Sequence, residues 1–76
     1  MLSEWDCDCH EDRCIVGTAL DVKVTENRDA CCDCCEDTQN CMAYSFNEEL
    51  CDCILYSEVH DLIPKNNTNA YICDSE

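Results

Sequence analysis

The sequence has few basic residues and a large excess of acidic ones. Only four of its 76 residues are Lys or Arg, against eighteen Asp or Glu, which gives a formal net charge of −14. This charge excludes a nucleic-acid-binding surface and argues against docking on anionic membranes, because both carry dense negative charge. The composition therefore favours a partner with a basic or neutral surface.

Long hydrophobic runs are also missing, so no segment is predicted to span or insert into a bilayer. Large apolar side chains are scarce, since the aromatic residues are one Trp, one Phe and three Tyr. Ordering so short a chain costs on the order of 100 kcal/mol of conformational entropy, which packing alone barely offsets. Cross-links must supply the remaining stability.

Cysteine is abundant instead, with eleven residues of this type in the chain. Native disulfides stabilise small domains by about 2–4 kcal/mol each, and they form in oxidising compartments. We therefore predict a secreted, extracellular protein with a disulfide framework. The cysteines assigned to this framework are Cys7, Cys9, Cys14, Cys31, Cys32, Cys34, Cys35, Cys41, Cys51, Cys53 and Cys73.

Because eleven is an odd number, at least one thiol stays free or pairs between chains. A homodimer through Cys7, Cys9, Cys34 or Cys53 is one consequence of this count. The detailed connectivity stays open, because even six cysteines allow fifteen pairings.

Metal-binding and redox alternatives fit the sequence less well. A metal-thiolate cluster would use the Cys-x-Cys pairs and His10, but a metal-wrapped coil has no use for the alternating apolar segments seen here. The Cys32-x-x-Cys35 pattern matches a redox motif, yet such matches arise by chance in a dense cysteine run. We predict no cofactor and no metal.

The first half of the chain is predicted to contain an arm, a strand and a helix. Residues 1–13 form an acidic N-terminal arm without periodicity, which we expect to be irregular and stapled by its cysteines. From Ala19 to Val24 apolar and polar residues alternate, as in a half-buried strand. Thr25 or Asn27 can cap a helix through the cysteine run, on which Cys31 and Cys35 share one face.

The second half of the chain is predicted to supply further strands. Tyr44 and Phe46 alternate with smaller residues, residues 50–57 return as the next strand, and Tyr71 to Cys73 close the sheet. The predicted fold class is α+β: a small disulfide-rich domain of one helix packed on a short antiparallel sheet, spanning residues 14–76 after the arm.

Cysteine positions and two strand motifs resemble those of the PAN/apple domain family. The residues that carry this resemblance are Cys14…Gly17…Leu20…Cys31-Cys32-x-x-Cys35-x5-Cys41-Met42-Ala43-Tyr44-Ser45-Phe46…Cys51-x-Cys53-x-Leu55…Cys73. The resemblance implies the bridges Cys14–Cys73 and Cys35–Cys41. It also implies one bridge from Cys31 or Cys32 to Cys51 or Cys53.

The PAN/apple resemblance also implies binding to a protein or carbohydrate ligand at a cell surface or matrix, without catalysis. A second resemblance, to the small water-borne pheromones of ciliates, implies instead a diffusible cysteine-rich signalling protein acting on a cell-surface receptor. Small effectors and toxins look similar at this level. A metal-thiolate protein is the lesser alternative.

Candidate contact residues for a ligand come from the aromatic residues and from the loop that follows residue 59. We predict a role for Trp5, for Tyr44 or Tyr56, and for His60 and Lys65. Core packing is the competing interpretation for the tyrosines. Asn66 begins an N-glycosylation sequon, Asn66-Asn67-Thr68.

Overall fold

The computed structural model describes residues 7–73 as one helix and five strands. All strand pairs are antiparallel, in the order β1-β5-β3-β4-β2. A small disulfide-rich α+β fold is therefore confirmed, with the sheet as its larger part. The elements are β1 (Cys7–His10), β2 (Arg13–Val24), α1 (Arg28–Asp37), β3 (Ala43–Asn47), β4 (Asp52–Pro64) and β5 (Thr68–Cys73).

Helix α1 begins after Asn27, one of the two cap residues that the sequence predicted. The Asn27 side-chain oxygen accepts a hydrogen bond from the Ala30 N–H at 2.9 Å, which satisfies one free donor of the first turn. Cys31 and Cys35 both face the sheet and are fully buried. At ten residues α1 is too short to be stable in water by itself. Within residues 7–73 no helix is long and apolar enough to cross a membrane.

Two disulfides attach α1 to the rest of the fold. Cys31 is bonded to Cys53 of β4, and Cys35 is bonded to Cys41 in the segment before β3. Both bonds agree with the pairings that the PAN/apple resemblance implied for the helix. They lie in a buried cluster with Tyr44, Phe46, Leu55 and Tyr71 on one face of the sheet.

The third disulfide differs from the implied pairing. Cys73 is bonded to Cys7, not to Cys14. Cys7 lies directly opposite Cys73 in the β1–β5 register, whereas Cys14 lies on β2 at the other edge of the sheet, opposite Ile63. The expectation of an irregular arm was wrong for residues 7–10, which form β1, although Cys7 does staple this segment to the sheet.

Five cysteines that we had assigned to the framework carry free thiols in the structure. Cys7 and Cys53, two of the residues proposed to link a homodimer, are instead used in intrachain bonds. The free cysteines are Cys9, which is exposed, and Cys14, Cys32, Cys34 and Cys51, which are half-buried.

The ribbon formed by β2 and β4 curls over the face of the sheet that is opposite α1. Its β2 strand contacts β5, although β4 and β3 separate the two in the sheet. The Asp12 carbonyl accepts from the Lys65 N–H at 3.0 Å, and the Asp12 N–H donates to the Asn69 side chain at 3.1 Å. This curl buries Ile15 against Ala43, Tyr56 and Ala70 in a second small core.

Register shifts in β2 around Gly17, Thr18 and Ala19 accompany the curl. Gly17 is the only glycine of the sequence, and a Cβ atom there would overlap the carbonyl oxygen of Glu58 on β4. The two strands can approach this closely only because Gly17 has no side chain.

The predicted strand at Ala19–Val24 exists as part of β2, but its apolar side chains are not half-buried. Leu20, Val22 and Val24 are 40%, 61% and 77% exposed. The reason is that β2 is an edge strand, whereas α1 packs on β3 and β4 in the middle of the sheet.

Replacing Gly17 by Ala tests the close approach of β2 and β4. We expect Gly17→Ala to lower the free energy of unfolding by about 1–3 kcal/mol, because the added methyl group must push the strands apart. Urea unfolding of the oxidised protein measures this change. Val24→Ala, at an exposed position of the same strand, is the control and should change stability by less than about 0.5 kcal/mol. Equal effects of the two substitutions would contradict the packing argument.

Removing the bond between α1 and β4 tests its contribution to stability. The double variant Cys31→Ala/Cys53→Ala should lose about 3 kcal/mol of unfolding free energy, because the bond closes a loop with a sequence separation of 22. Thermal unfolding followed by circular dichroism measures the loss. Cys34→Ala removes a free thiol from the same helix and should cost under about 1 kcal/mol. A double variant as stable as this control would show that the bond contributes little.

Candidate binding cleft

An open cleft lies between the C-terminal end of α1 and the β2–β4 ribbon. Its volume is about 670 Å³, within the range of roughly 300–1,000 Å³ that is typical of ligand sites. The cleft is lined by Leu20, Glu36, Thr38, Gln39, Asn40, Cys41, Met42, Ser57 and Glu58.

Two exposed apolar side chains, Leu20 and Met42, lie in this cleft. Leu20 falls at a register shift, since Ala19 pairs with Tyr56 and Asp21 with Leu55, so Leu20 has no partner across the ladder. The Met42 backbone is held by hydrogen bonds to Tyr56 and Cys73, yet the residue as a whole is 51% exposed. The backbone thus keeps both side chains at the surface.

Acidic groups line the same cleft as these apolar side chains. Glu36 belongs to the last turn of α1, which carries no basic residue, and Glu58 lies on β4. The C-terminal end of a helix carries partial negative charge, so the charge of the helix end adds to that of Glu36. Thr38 satisfies two carbonyl groups there: its hydroxyl donates to Cys34 at 2.7 Å and its N–H to Cys35 at 3.1 Å.

Glu58 is held in place by its neighbours. Its Oε1 atom accepts from the Thr18 hydroxyl at 3.2 Å and lies 3.5 Å from Nε2 of His60. The cleft therefore combines apolar carbon surface with fixed negative charge. Such a site suits a group that has an apolar stem and a cationic head, as Lys and Arg side chains do.

The structure separates the predicted ligand-binding residues. His60 is exposed beside Glu58 at the rim of the cleft, and Lys65 is exposed at the end of the β2–β4 ribbon, beside a second cavity of about 60 Å³ that Cys14 also lines. Asn66 is exposed in the turn between β4 and β5, as a glycosylation site requires. Trp5 lies outside the described residues.

Tyr44 and Tyr56 are not surface residues, so the prediction that one of them contacts a ligand was wrong. Tyr44 is fully buried, and its ring stacks on that of Tyr71 with centroids 4.8 Å apart. Tyr56 packs in the second core beneath the curled ribbon. The two rings lie on opposite faces of the sheet, Tyr44 beneath α1 and Tyr56 beneath the curl of β2. The alternation of residues along the strands does not reveal that the curl covers the second face.

The Tyr44 hydroxyl is buried without a hydrogen-bond partner among residues 7–73. Burial raises the pKa of Tyr44, and the nearby Cys32 thiol raises it further, while the Arg28 guanidinium acts in the opposite direction. Burial likewise raises the pKa of Tyr71. Both rings are therefore held in the neutral form well above neutral pH.

The residues that form the cleft were missed by sequence reasoning. Glu36 follows the cysteine run and Met42 follows Cys41, so both were visible as neighbours of a framework cysteine. Nothing in the sequence brings Leu20 to them, because that contact depends on the register shift in β2. The only local signal is a helix that ends without a basic residue.

A metal centre is not formed by the described part of the chain: among residues 7–73 no three His, Cys, Asp or Glu side chains are grouped so that they could hold an ion.

Comparisons with known protein families, with curated proteins and with solved structures find no match to this chain.

Removing the Tyr44 hydroxyl tests whether it is an unsatisfied buried group. We expect Tyr44→Phe to raise the free energy of unfolding by about 1 kcal/mol, because the variant no longer buries an unpaired hydroxyl. Chemical denaturation with the free thiols alkylated measures the change. A loss of stability would show that the hydroxyl makes a bond in solution.

The pH dependence provides the matching control. The pKa of Tyr44 is raised in the folded state, so above the unfolded value of 10.0 the hydroxyl ionises more readily in the unfolded chain. The free energy of unfolding is therefore unaffected by this group below pH 10.0 and falls as the pH rises above it. Wild-type stability should therefore fall in alkaline solution, and that of Tyr44→Phe should fall less steeply.

Proposed function

We propose that this protein is a secreted, disulfide-stabilised binding module whose cleft takes a Lys or Arg side chain of an extracellular protein partner, without catalysis. The observation that carries the proposal is the composition of the cleft, which exposed Leu20 and Met42 line together with Glu36 at the end of α1 and Glu58 on β4. The apolar stem of the partner side chain covers Leu20 and Met42, and its charged head meets the two glutamates.

The overall charge supports a basic partner. With a net charge of −14, the protein attracts positively charged surfaces over a distance set by salt, which raises the association rate. Specificity then arises at short range, where the head group meets the two carboxylates of the cleft and the negative end of a helix.

The buried aromatic residues favour a protein partner over a glycan. Tyr44, Phe46, Tyr56 and Tyr71 are all buried, so within residues 7–73 no aromatic ring is displayed as a platform for a sugar. Three disulfides are typical of proteins that fold in an oxidising compartment, which supports secretion. Membership of the PAN/apple or pheromone families stays a prediction.

A titration followed by nuclear magnetic resonance tests the cleft directly. The probe is N-acetyl-arginine amide, with N-acetyl-leucine amide as the neutral probe of similar size. We expect the arginine probe to shift the methyl signals of Leu20 and Met42 saturably, and we expect the leucine probe to shift them far less. Equal shifts from both probes would contradict a cationic site.

Charge-matched variants separate the cleft from the general acidity of the protein. Glu36→Gln/Glu58→Gln should weaken binding of the arginine probe about tenfold, since each lost ion pair contributes up to about 1 kcal/mol. Glu11→Gln/Glu26→Gln removes the same charge at exposed positions outside the cleft lining and should weaken binding less than about twofold. Equal losses in the two double variants would show that net charge alone attracts the probe.

A further inference from the structure

Two of the five free thiols converge on the stacked pair of tyrosines. We propose that Cys9 and Cys32 form a fourth disulfide, which joins the edge strand β1 to α1. This bond is independent of the proposed ligand, because it lies on the opposite flank of α1 from the cleft-lining strand β2.

The strand register places Cys9 next to the tyrosine stack. Cys9 lies directly opposite Tyr71 in the β1–β5 ladder, and Tyr71 lies opposite Tyr44 in the β5–β3 ladder. All three side chains therefore share one row on the face of the sheet that α1 covers. The Cys9 thiol lies beside the Tyr71 hydroxyl.

The helix presents Cys32 to the same place. Arg28 and Cys32 are four residues apart, so they lie on one flank of α1. The Arg28 guanidinium carbon is 5.4 Å from the centre of the Tyr71 ring, which shows that this flank faces β5, the strand next to β1. The Cys32 thiol lies beside the Tyr44 hydroxyl. Cys9 and Cys32 thus approach the two hydroxyl ends of one tyrosine pair.

The other free thiols lie elsewhere. Cys34 is two residues beyond Cys32 and therefore points to the opposite flank of the helix. Cys14 lines the cavity on the far face of the sheet with Ser45. Cys51 lies in the turn before β4, where its carbonyl accepts from the Thr25 N–H. Cys32 is therefore the partner that the fold offers to Cys9.

Closing the bond requires a local movement that the structure permits. The Cys32 thiol is only a weak hydrogen-bond donor, so moving its sulfur away from the Tyr44 hydroxyl costs little. Strand β1 has only four residues and, within residues 7–73, pairs only with β5, so the end that carries Cys9, two residues beyond the Cys7–Cys73 bond, can shift toward the helix. Arg28, whose side chain is 45% exposed, can swing out into solvent.

The oxidant is a disulfide of the secretory compartment, such as glutathione disulfide. One cysteine, as its thiolate, attacks this disulfide, forms a mixed disulfide and releases one glutathione thiolate. The second cysteine then attacks the mixed disulfide and releases the other. Two protons and two electrons pass from Cys9 and Cys32 to two molecules of glutathione, which leaves Cys14, Cys34 and Cys51 as thiols.

Peptide mapping after refolding in a glutathione redox buffer tests the proposal. Trypsin cuts after Arg13, Lys23, Arg28 and Lys65, so Cys9 is in peptide 1–13 and Cys32 in peptide 29–65. Because Cys7 is bonded to Cys73, peptide 1–13 also carries peptide 66–76. We expect all three peptides to migrate as one disulfide-linked species, and alkylation of the unfolded protein to label Cys14, Cys34 and Cys51 only.

Two variants identify the partner of Cys9. Cys32→Ser should separate peptide 29–65 from the other two and make Cys9 available for labelling. Cys34→Ser is the matched control from the same helix and should keep the three peptides linked. The proposal is overturned if all five free thiols label in the refolded protein, if the link survives Cys32→Ser, or if Cys9 instead forms a reducible dimer.

Discussion

The bond between Cys31 and Cys53 is the constraint on which the rest of this structure depends. Both cysteines are fully buried, and the bond holds a helix of ten residues against the centre of the sheet. So short a helix is not stable in water by itself. Its contact face is made largely of sulfur, because Cys31 and Cys35 occupy positions that Leu or Ile fill in a larger protein. The covalent bonds replace the apolar layer that this chain is too short to build.

The close approach at Gly17 is the second constraint, and it acts on the other face of the sheet. Without a side chain at Gly17, β2 can lie against the Glu58 backbone and curl over the sheet. The curl closes a small core around Ile15 and Tyr56. A further register shift, between Ala19 and Asp21, leaves Leu20 without a ladder partner in the lining of the cleft. The irregular stretch of β2 therefore contributes both to stability and to the candidate binding surface.

The excess of acidic residues sets the conditions under which this fold can exist. A net charge of −14 on 76 residues opposes a compact state through self-repulsion, which makes covalent cross-links more valuable than in a neutral chain. The same charge keeps copies of the protein apart and attracts basic surfaces. At the end of α1, two of these acidic residues, Glu36 and Glu58, line the same cleft as the exposed side chains of Leu20 and Met42.

Local patterns in the sequence determined the disulfide-rich class, a helix capped by Thr25 or Asn27 and the core of the sheet, because caps and alternation act over a few residues. The family resemblance implied the Cys35–Cys41 bridge and left the second bridge from α1 open between Cys31 or Cys32 and Cys51 or Cys53, of which the structure forms Cys31–Cys53. Only the tertiary structure decided that Cys7 rather than Cys14 meets Cys73, that Tyr44 and Tyr56 are buried, and that Val22 and Val24 are exposed. Those outcomes depend on strand order and on the curl of β2. The order of strands in a sheet is a long-range property, and no spacing of residues along the chain encodes it directly.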